Sequence, residues 1–120
     1  MADRLKGKIA IISGGATGMG GASSLLFAAE GATVGVIDHN RDAGEAIVAE
    51  INNSGGKAVF AAADVSDQAE VNAAVMIVTS ASGPANVLFN HARTIIIKPF
   101  LDMSLEEWEW LMGINVRSMF

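Results

Sequence analysis

The amino-acid sequence predicts a single α/β domain in which four parallel strands alternate with four helices in three layers. Two observations predict this fold. Short apolar runs, which suit strands buried on both faces, alternate four times with longer segments of helical periodicity. Each apolar run also gives way to a polar residue at its carboxyl end, where parallel sheets of this kind bind their ligands. We therefore expect a ligand site along that edge of the sheet.

Composition restricts the class of protein. The chain has 120 residues, 51% of them hydrophobic, which is enough for one domain with a buried core. The net charge of −5 and the lack of a basic cluster argue against a nucleic-acid partner. No apolar run approaches the roughly 20 residues of a membrane-spanning helix, and residues 1–8 contain no hydrophobic signal segment, so we expect a cytoplasmic protein. The absence of cysteine excludes a disulfide framework and a thiolate metal site.

The first apolar run, 9–12, predicts a strand, and a glycine-rich segment over 13–21 follows it directly. This segment has five glycines in nine positions, spaced as Ser13-Gly14-x-x-x-Gly18-x-Gly20. Glycine permits a positive φ and lacks the Cβ that would keep a phosphate away from the backbone amides. A helix predicted over 20–30 adds free N–H groups and a partial positive charge at its start. The segment therefore predicts dinucleotide binding, and the alternative is an ordinary tight turn.

The remaining elements are predicted in order from hydrophobic periodicity and cap residues. They are a strand over 33–37 closed by Asp38, a helix over 41–53, a strand over 58–63, a helix over 66–79 with Ser66 as N-cap, a strand over 86–90, a loop over 91–102 and a helix opened by the capping box of Ser104 and Glu107. The carboxyl ends of the four strands then carry Ser13 with Gly14, Asp38, Asp64 and Asn90.

Two acids at strand ends are candidate cofactor contacts. Asp38 lies 18 residues after Gly20, where a carboxylate accepts hydrogen bonds from the adenine-ribose hydroxyls of NAD and repels the 2′-phosphate of NADP. NAD is therefore the predicted cofactor, and the alternative for Asp38 is a cap on the helix that begins near Arg41. Asp64, with Val65 beside it, is placed to reach the adenine amino group. Its alternative is a turn in which the side chain bonds the local backbone.

Together these residues resemble the short-chain dehydrogenase/reductase family from about Leu5 to Phe120. The resemblance rests on ISGGATGMG, Asp38, Asp64-Val65, Asn90-His91-Ala92 and Asn115-Val116. It implies a Rossmann-like fold and an oxidoreductase that transfers hydride between NAD(P) and a small-molecule alcohol or carbonyl. It also implies that Asp38 selects NAD and that Asp64 with Val65 holds the adenine. Ser13 replaces the threonine of the family's glycine motif and keeps its hydroxyl. The resemblance implies that the cofactor is bound around its pyrophosphate by Ser13, Gly14, Thr17, Gly18, Met19 and Gly20.

The sequence departs from the family after the fourth strand, where the family's N-N-A-G appears as Asn90-His91-Ala92-Arg93. Asn90 and Ala92 match and are implied as cofactor-binding residues. Arg93 in place of glycine would strain the backbone by about 1 kcal/mol if this position requires a positive φ. His91 has no evident partner for general-base catalysis and is interpreted as a partly buried loop histidine.

The family's catalytic residues mark the largest difference. Asn115 matches a helix asparagine that holds a water in the family's proton relay, and the alternative is an ordinary polar residue on an apolar helix. The tyrosine, lysine and serine that the reaction requires have no counterpart, and the sequence contains no tyrosine. We therefore expect residues 1–120 to be one truncated domain, the cofactor-binding half of the family fold. The fourth strand would then be an open edge. The C-terminal helix is apolar on more than one face, and the resemblance implies that it packs at a subunit interface. We therefore expect the chain to form a homo-oligomer through this helix, or else to need a partner or its missing half.

Three hypotheses for function follow. The first is an NAD(H)-dependent oxidoreductase acting on a small-molecule alcohol or carbonyl, with this chain supplying the dinucleotide-binding half. The second is an NAD-binding association module without turnover. The third is a fragment too incomplete to bind a ligand well.

Overall fold

Four parallel strands and four helices make up the computed structural model, which describes residues 3–120. The strands are β1 (Ile9–Ser13), β2 (Thr33–Asp38), β3 (Lys57–Ala62) and β4 (Val87–Asn90). The helices are α1 (Gly18–Ala29), α2 (Arg41–Asn53), α3 (Gln68–Ser82) and α4 (Leu105–Asn115), with 3₁₀ turns over Phe100–Asp102 and Arg117–Met119. The predicted Rossmann-like α/β fold with a parallel sheet is confirmed.

The order of the strands in the sheet is β3-β2-β1-β4, so the chain changes its direction of winding at β1. The first two crossovers build the sheet outward on one side of β1, and the third returns to place β4 on the other side. The carboxyl ends of β1 and β4 therefore flank a crevice. This is the position at which open parallel sheets bind their ligands.

The two faces of the sheet are covered by different helices. On one face, Ile12 and Val34 pack in a cluster that includes Ile51 of α2 and side chains of α1. On the other face, Ile11 packs in a cluster that includes Val78 of α3. Because both faces are covered, a continuous apolar run is the pattern that β1 and β2 require.

The ends of several elements differ from the prediction. The helix α1 begins two residues earlier than expected, β3 and β4 are each shifted or shortened by one residue, and α3 continues to Ser82. The predicted N-cap Ser66 is wrong, because Asp67 caps α3 and accepts a hydrogen bond from the Glu70 N–H at 3.0 Å. The Ser66 hydroxyl instead donates to Asp64 Oδ1 at 2.6 Å. The Ser66 side chain is thus directed toward Asp64, and the next residue caps the helix.

The strand β4 and the helix α4 form the least covered part of the molecule. Among the described residues the strand pairs only with β1, which confirms the predicted edge. Leu88 is 61% exposed although it lies opposite the buried Ile11. The helix begins at the predicted capping box, in which Ser104 Oγ accepts from the Glu107 N–H at 3.1 Å. Gly113 is its only buried residue in the described chain. Among residues 3–120 no helix combines the length and apolarity needed to cross a bilayer.

Candidate functional site

A cleft of about 870 Å³ opens at the carboxyl ends of the strands. One wall consists of the glycine loop and the ends of β2 and β3, and the other consists of the segment after β4 and one side of α4. Its lining residues are Gly14, Thr17, Gly18, Met19, Asp38, His39, Ala63, Asp64, Val65, His91, Ala92, Arg93, Thr94, Ile95, Trp110 and Ile114. Eight of the predicted cofactor-binding residues are among them, whereas Ser13, Gly20 and Asn90 are not.

The glycine loop is folded so closely that three of its glycines are required by geometry, two by their φ angles and one by close contact. Gly14 has a φ of +67° and Gly18 a φ of +58°, a region that side chains other than glycine rarely adopt. A Cβ on Gly20 would overlap the Gly14 carbonyl oxygen and lie 2.7 Å from Cδ2 of His91. Gly20 therefore acts beneath the loop, where it allows α1 to approach β1, and does not line the cleft.

The start of α1 faces the cleft with its first N–H groups uncapped by a side chain. Thr17 occupies the N-cap position with an extended backbone, and its hydroxyl makes no capping hydrogen bond. The first turn contains no acidic side chain. The partial positive charge of this helix end is therefore left for an external anion, which is the arrangement that binds phosphate.

Ser13 joins the two walls of the cleft. Its Oγ accepts hydrogen bonds from the backbone N–H of His91 at 3.1 Å and of Ala92 at 3.2 Å. A Cβ on Gly14 would lie 2.9 Å from the Ala92 Cα, so the two chain segments are in direct contact. The hydroxyl at this position thus fixes the distance between the glycine loop and the segment after β4.

Asp38 is buried at the base of the cleft, and its side chain organises the loop above it. One carboxylate oxygen accepts from the Ala16 N–H at 3.1 Å and the other from the Asn40 N–H at 3.0 Å. The His39 Nδ1 lies 3.3 Å from the same carboxylate. The alternative that Asp38 caps α2 is wrong, because Asn40 is the N-cap and accepts from the Ala43 N–H at 3.1 Å.

Asp64 adopts the turn that was its alternative interpretation and also lines the cleft. Its Oδ1 accepts from the Ser66 hydroxyl at 2.6 Å and from the Ser66 N–H at 2.9 Å. These two hydrogen bonds hold the pKa of the Asp64 carboxyl below its usual value. Asp64 is therefore ionised at neutral pH beside Val65, at the same end of the cleft as Asp38.

The second wall begins with a packed histidine. The His91 ring stacks on Phe89 with a centroid distance of 5.4 Å and an interplanar angle of 11°, and Phe89 in turn lies 6.3 Å from Phe27 of α1. The interpretation of His91 as a partly buried loop histidine is confirmed. Arg93 does not have a positive φ, so the strain expected from replacing glycine does not arise.

Asn115 lies outside the cleft and holds its second wall. Its Oδ1 accepts from the Thr94 N–H at 2.8 Å, and its Nδ2 donates to the Thr94 carbonyl at 3.0 Å. Both ends of the carboxamide are therefore engaged with one backbone residue. Trp110 and Ile114, which lie one helical turn apart on α4, complete the wall.

Sequence reasoning did not identify His39, Thr94, Ile95, Trp110 and Ile114 as lining residues. The adjacency of His39 to Asp38 was the signal that could have identified it. For Trp110 and Ile114 the four-residue spacing was visible, but apolar residues cover more than one face of α4, so the side that meets the cleft could not be distinguished.

Comparison with known proteins places this geometry in a family. A family model described as short chain dehydrogenase matches residues 8–120. The chain is 41% identical to cyclopentanol dehydrogenase of Comamonas testosteroni over 117 residues, which cover 98% of this chain and 47% of the relative. It is 40% identical to a 2,5-dichloro-2,5-cyclohexadiene-1,4-diol dehydrogenase of Sphingobium indicum over 120 residues, which cover 100% of this chain and 48% of the relative. The chain thus spans about half the length of the curated relatives it matches.

Solved structures agree. A dehydrogenase/reductase from Sinorhizobium meliloti superimposes with a TM-score of 0.93 at 31% identity, covering 99% of this chain and 48% of that chain. A blue fluorescent protein from a metagenomic library, in complex with NADPH, superimposes with a TM-score of 0.90 at 33% identity, covering 95% of this chain and 47% of that chain. Fold, cleft and sequence identity converge on one conclusion: the chain belongs to the short-chain dehydrogenase/reductase family, whose members bind a nicotinamide dinucleotide.

Proposed function

We propose that this chain forms the NAD-binding part of an oxidoreductase that interconverts small-molecule alcohols and carbonyls. The observation that carries the proposal is the buried Asp38 carboxylate beneath the glycine loop. It joins the loop to the end of β2 through the N–H groups of Ala16 and Asn40. These two hydrogen bonds leave part of the acceptor capacity of the carboxylate for ribose hydroxyls. When bound, the nicotinamide supplies the chemistry of hydride transfer.

The preference for NAD over NADP rests on charge. A 2′-phosphate brought to the adenosine end of the cleft would meet the carboxylates of Asp38 and Asp64, which repel it. His39 lies beside Asp38 with its side chain 86% exposed, so solvent screens much of any compensating charge it carries. A structural relative was solved with NADPH, so the titration below compares both nucleotides.

The remaining site residues are assigned by their position in the cleft. We assign Gly14, Thr17, Gly18 and Met19 to the diphosphate, because they form the loop at the start of α1. Asp64 with Val65 is assigned to the adenine, and Ala92 to the opposite wall. The positions outside the lining are assigned supporting roles at the loop and strand ends: Ser13, Gly20 and Asn90.

Proton transfer is the part of the reaction that these residues do not supply. The sequence contains no tyrosine and hence no phenolic acid/base. We propose a relay role for Asn115 only in combination with such a group from outside these 120 residues. The second candidate function is an NAD-binding association module without turnover. It predicts NADH binding by residues 1–120 without alcohol oxidation.

We further propose that the chain forms a homo-oligomer through α4 and the 3₁₀ turn before it. Leu101 is 92% exposed, Leu105 is 75% exposed, and Trp108 is 45% exposed, an apolar surface that a second copy would cover. Light scattering during size-exclusion chromatography at micromolar concentration should give a mass above that of one chain. Leu105→Glu should restore the monomer, and a monomeric wild type would contradict the proposal.

The function itself is tested by titrating NADH and NADPH into the 120-residue chain. Trp110 lines the cleft and provides a fluorescence signal. We expect saturable NADH binding and NADPH binding at least about tenfold weaker. Asp38→Asn should decrease the ratio of the NADPH dissociation constant to the NADH dissociation constant. Asp102→Asn removes a carboxylate outside the cleft and should leave this ratio unchanged. Failure of the wild type to bind either nucleotide would overturn the proposed function.

A further inference from the structure

The cleft carries its charges in an uneven pattern. Its acidic side chains, Asp38 and Asp64, lie together at the ends of β2 and β3. Arg93 is the only arginine or lysine among the described lining residues, and it belongs to the opposite wall. A nucleotide that enters the cleft would thus meet carboxylates on one wall and a guanidinium on the other.

The backbone of Arg93 is held on both sides. The preceding residue, Ala92, donates its N–H to Ser13 Oγ at 3.2 Å. The following residue, Thr94, is bound through both its N–H and its carbonyl to the Asn115 carboxamide, at 2.8 and 3.0 Å. The Arg93 Cα is therefore held at a fixed point on the wall. On binding a ligand, the side chain would lose only its own rotamer entropy, and no backbone entropy would be lost with it.

The guanidinium of Arg93 has no partner among residues 3–120, for no hydrogen bond or ion pair engages it. Three other basic side chains are paired: Arg4 contacts Glu30 at 3.2 Å, Arg41 contacts Glu45 at 3.3 Å, and Lys98 contacts Glu107 at 2.7 Å. The remaining four basic residues lie outside the cleft lining: Lys6, Lys8, Lys57 and Arg117. Arg93 thus presents an exposed, uncompensated cation to the cleft.

The glycine loop lies beside the chain segment that carries Arg93. The Gly14 position is in contact with Ala92, one residue before Arg93, and the uncapped start of α1 contributes positive potential from the other wall. Two independent sources of positive charge, one on each wall, therefore line the cleft. An anion with several acceptor oxygens fits between them, and a planar guanidinium is well suited to phosphate oxygens.

We propose that Arg93 is an anion-binding residue of this cleft and pairs with a phosphate oxygen of the dinucleotide's diphosphate. The inference rests on the proposed function and extends it, because the family pattern has glycine at this position and offers no side chain there. The chain would then bind the diphosphate from two walls, through backbone N–H groups on one and a side chain on the other.

The test compares ligands with and without the diphosphate. ADP-ribose and adenosine are titrated calorimetrically into the wild type, Arg93→Gln, Arg93→Lys and Arg93→Gly. We expect Arg93→Gln and Arg93→Gly to weaken ADP-ribose binding about three- to tenfold, with adenosine binding unchanged and with partial recovery in Arg93→Lys. Raising the salt concentration should weaken ADP-ribose binding more in the wild type than in Arg93→Gln. Lys57→Gln, which removes a positive charge at the amino end of β3, is the matched control.

The outcomes separate this inference from the proposed function. Equal ADP-ribose affinity in the wild type and Arg93→Gln, while the wild type binds NADH, overturns the role of Arg93 alone. An equal loss for adenosine and ADP-ribose also overturns it, since that result indicates general damage to the cleft. Absence of NADH and ADP-ribose binding in the wild type overturns the proposed function and this inference together.

Discussion

The two walls of the cleft differ in how deeply their supporting strands are buried. The glycine loop rises from β1 and β2, which form the interior of the sheet, where Ile12, Val34 and Val36 are 0% exposed. The opposite wall follows β4, an edge strand with exposed and half-buried residues in alternation. The wall that carries the glycine loop is therefore stabilised by the core, and the other depends on a few individual hydrogen bonds. Global stability and ligand affinity should accordingly respond to different substitutions.

The largest contrast is expected between two residues that face each other in the sheet. Ile11 and Leu88 lie opposite one another in the β1–β4 pair, yet they are 6% and 61% exposed. Ile11→Ala should lower the free energy of unfolding by about 2–4 kcal/mol, because it leaves a cavity against α3. Leu88→Ala should cost less than about 1 kcal/mol. Urea denaturation measures both, and equal losses would show that the edge is as well packed as the centre.

A second contrast lies within the glycine loop. Gly20→Ala would force a Cβ into the Gly14 carbonyl and the His91 ring. We expect this change to lower the free energy of unfolding by about 2–3 kcal/mol and to abolish NADH binding. Gly18→Ala meets no atom within 4 Å, so its cost should be limited to its positive φ, about 1–2 kcal/mol. Thermal unfolding and NADH titration of both variants test this order. Greater stability in Gly20→Ala than in Gly18→Ala would contradict the geometry of the loop.

Two asparagines with the same bonding pattern sharpen the comparison between the walls. Asn52 binds the N–H and carbonyl of Ala58 at 2.8 and 3.2 Å, as Asn115 binds those of Thr94. Either Asn→Ala change should cost about 1–2 kcal/mol of local stability. Only Asn115→Ala should weaken NADH binding and speed amide hydrogen exchange at Thr94. Equal effects of the two variants on binding would mean that the second wall does not depend on Asn115.

The smallest effect on the free energy of unfolding is expected when the pH is lowered. Hydrogen bonds from Arg4 lower the pKa of Glu30, and those from Lys98 and Ser104 lower the pKa of Glu107. Because each folded-state pKa is depressed, the stabilisation is present above the unfolded pKa of about 4.3 and is lost as the pH falls through the lower folded value. Unfolding free energies measured from pH 5 to pH 3 should therefore decline.

Glutamine variants assign that decline to its sources. Glu30→Gln and Glu107→Gln should each flatten the pH dependence, whereas Glu50→Gln on the exposed side of α2 serves as the control. Salt should weaken the Glu107 contribution more, because its side chain is 31% exposed against 6% for Glu30. An unchanged slope in both variants would exclude these two contacts as the cause.

Local signals predicted most of the fold. The apolar runs of β1 to β4 and the Ser104–Glu107 capping box each depend on neighbours a few residues away, and these elements form where the sequence indicated. The N-cap of α3 was predicted at Ser66 because cap propensity alone does not show that Asp64 binds the Ser66 hydroxyl. Competition between adjacent polar side chains is decided by geometry that the sequence does not display.

The candidate site was predictable on one wall and not on the other. Gly14, Gly18 and Asp38 are encoded by a short segment and its spacing, so their placement in the cleft was expected. The partnership of Asn115 with Thr94 and the entry of Trp110 into the lining depend on how α4 docks. Contacts of that kind leave no periodicity in the sequence.

The bond between Ser13 and His91 also has a kinetic consequence. This hydrogen bond links residues 78 positions apart, and the neighbouring hydrogen bond between Ile9 and Asn86 links residues 77 positions apart. Both separations are about three times the sequence separation of paired residues in β1 and β2. Closing the longer loop costs about 1 kcal/mol more entropy, and distant pairings slow folding. We therefore expect β2 and β3 to join β1 early and β4 to dock last. The cleft would exist only after that final docking, so the binding function would appear as the last event of folding.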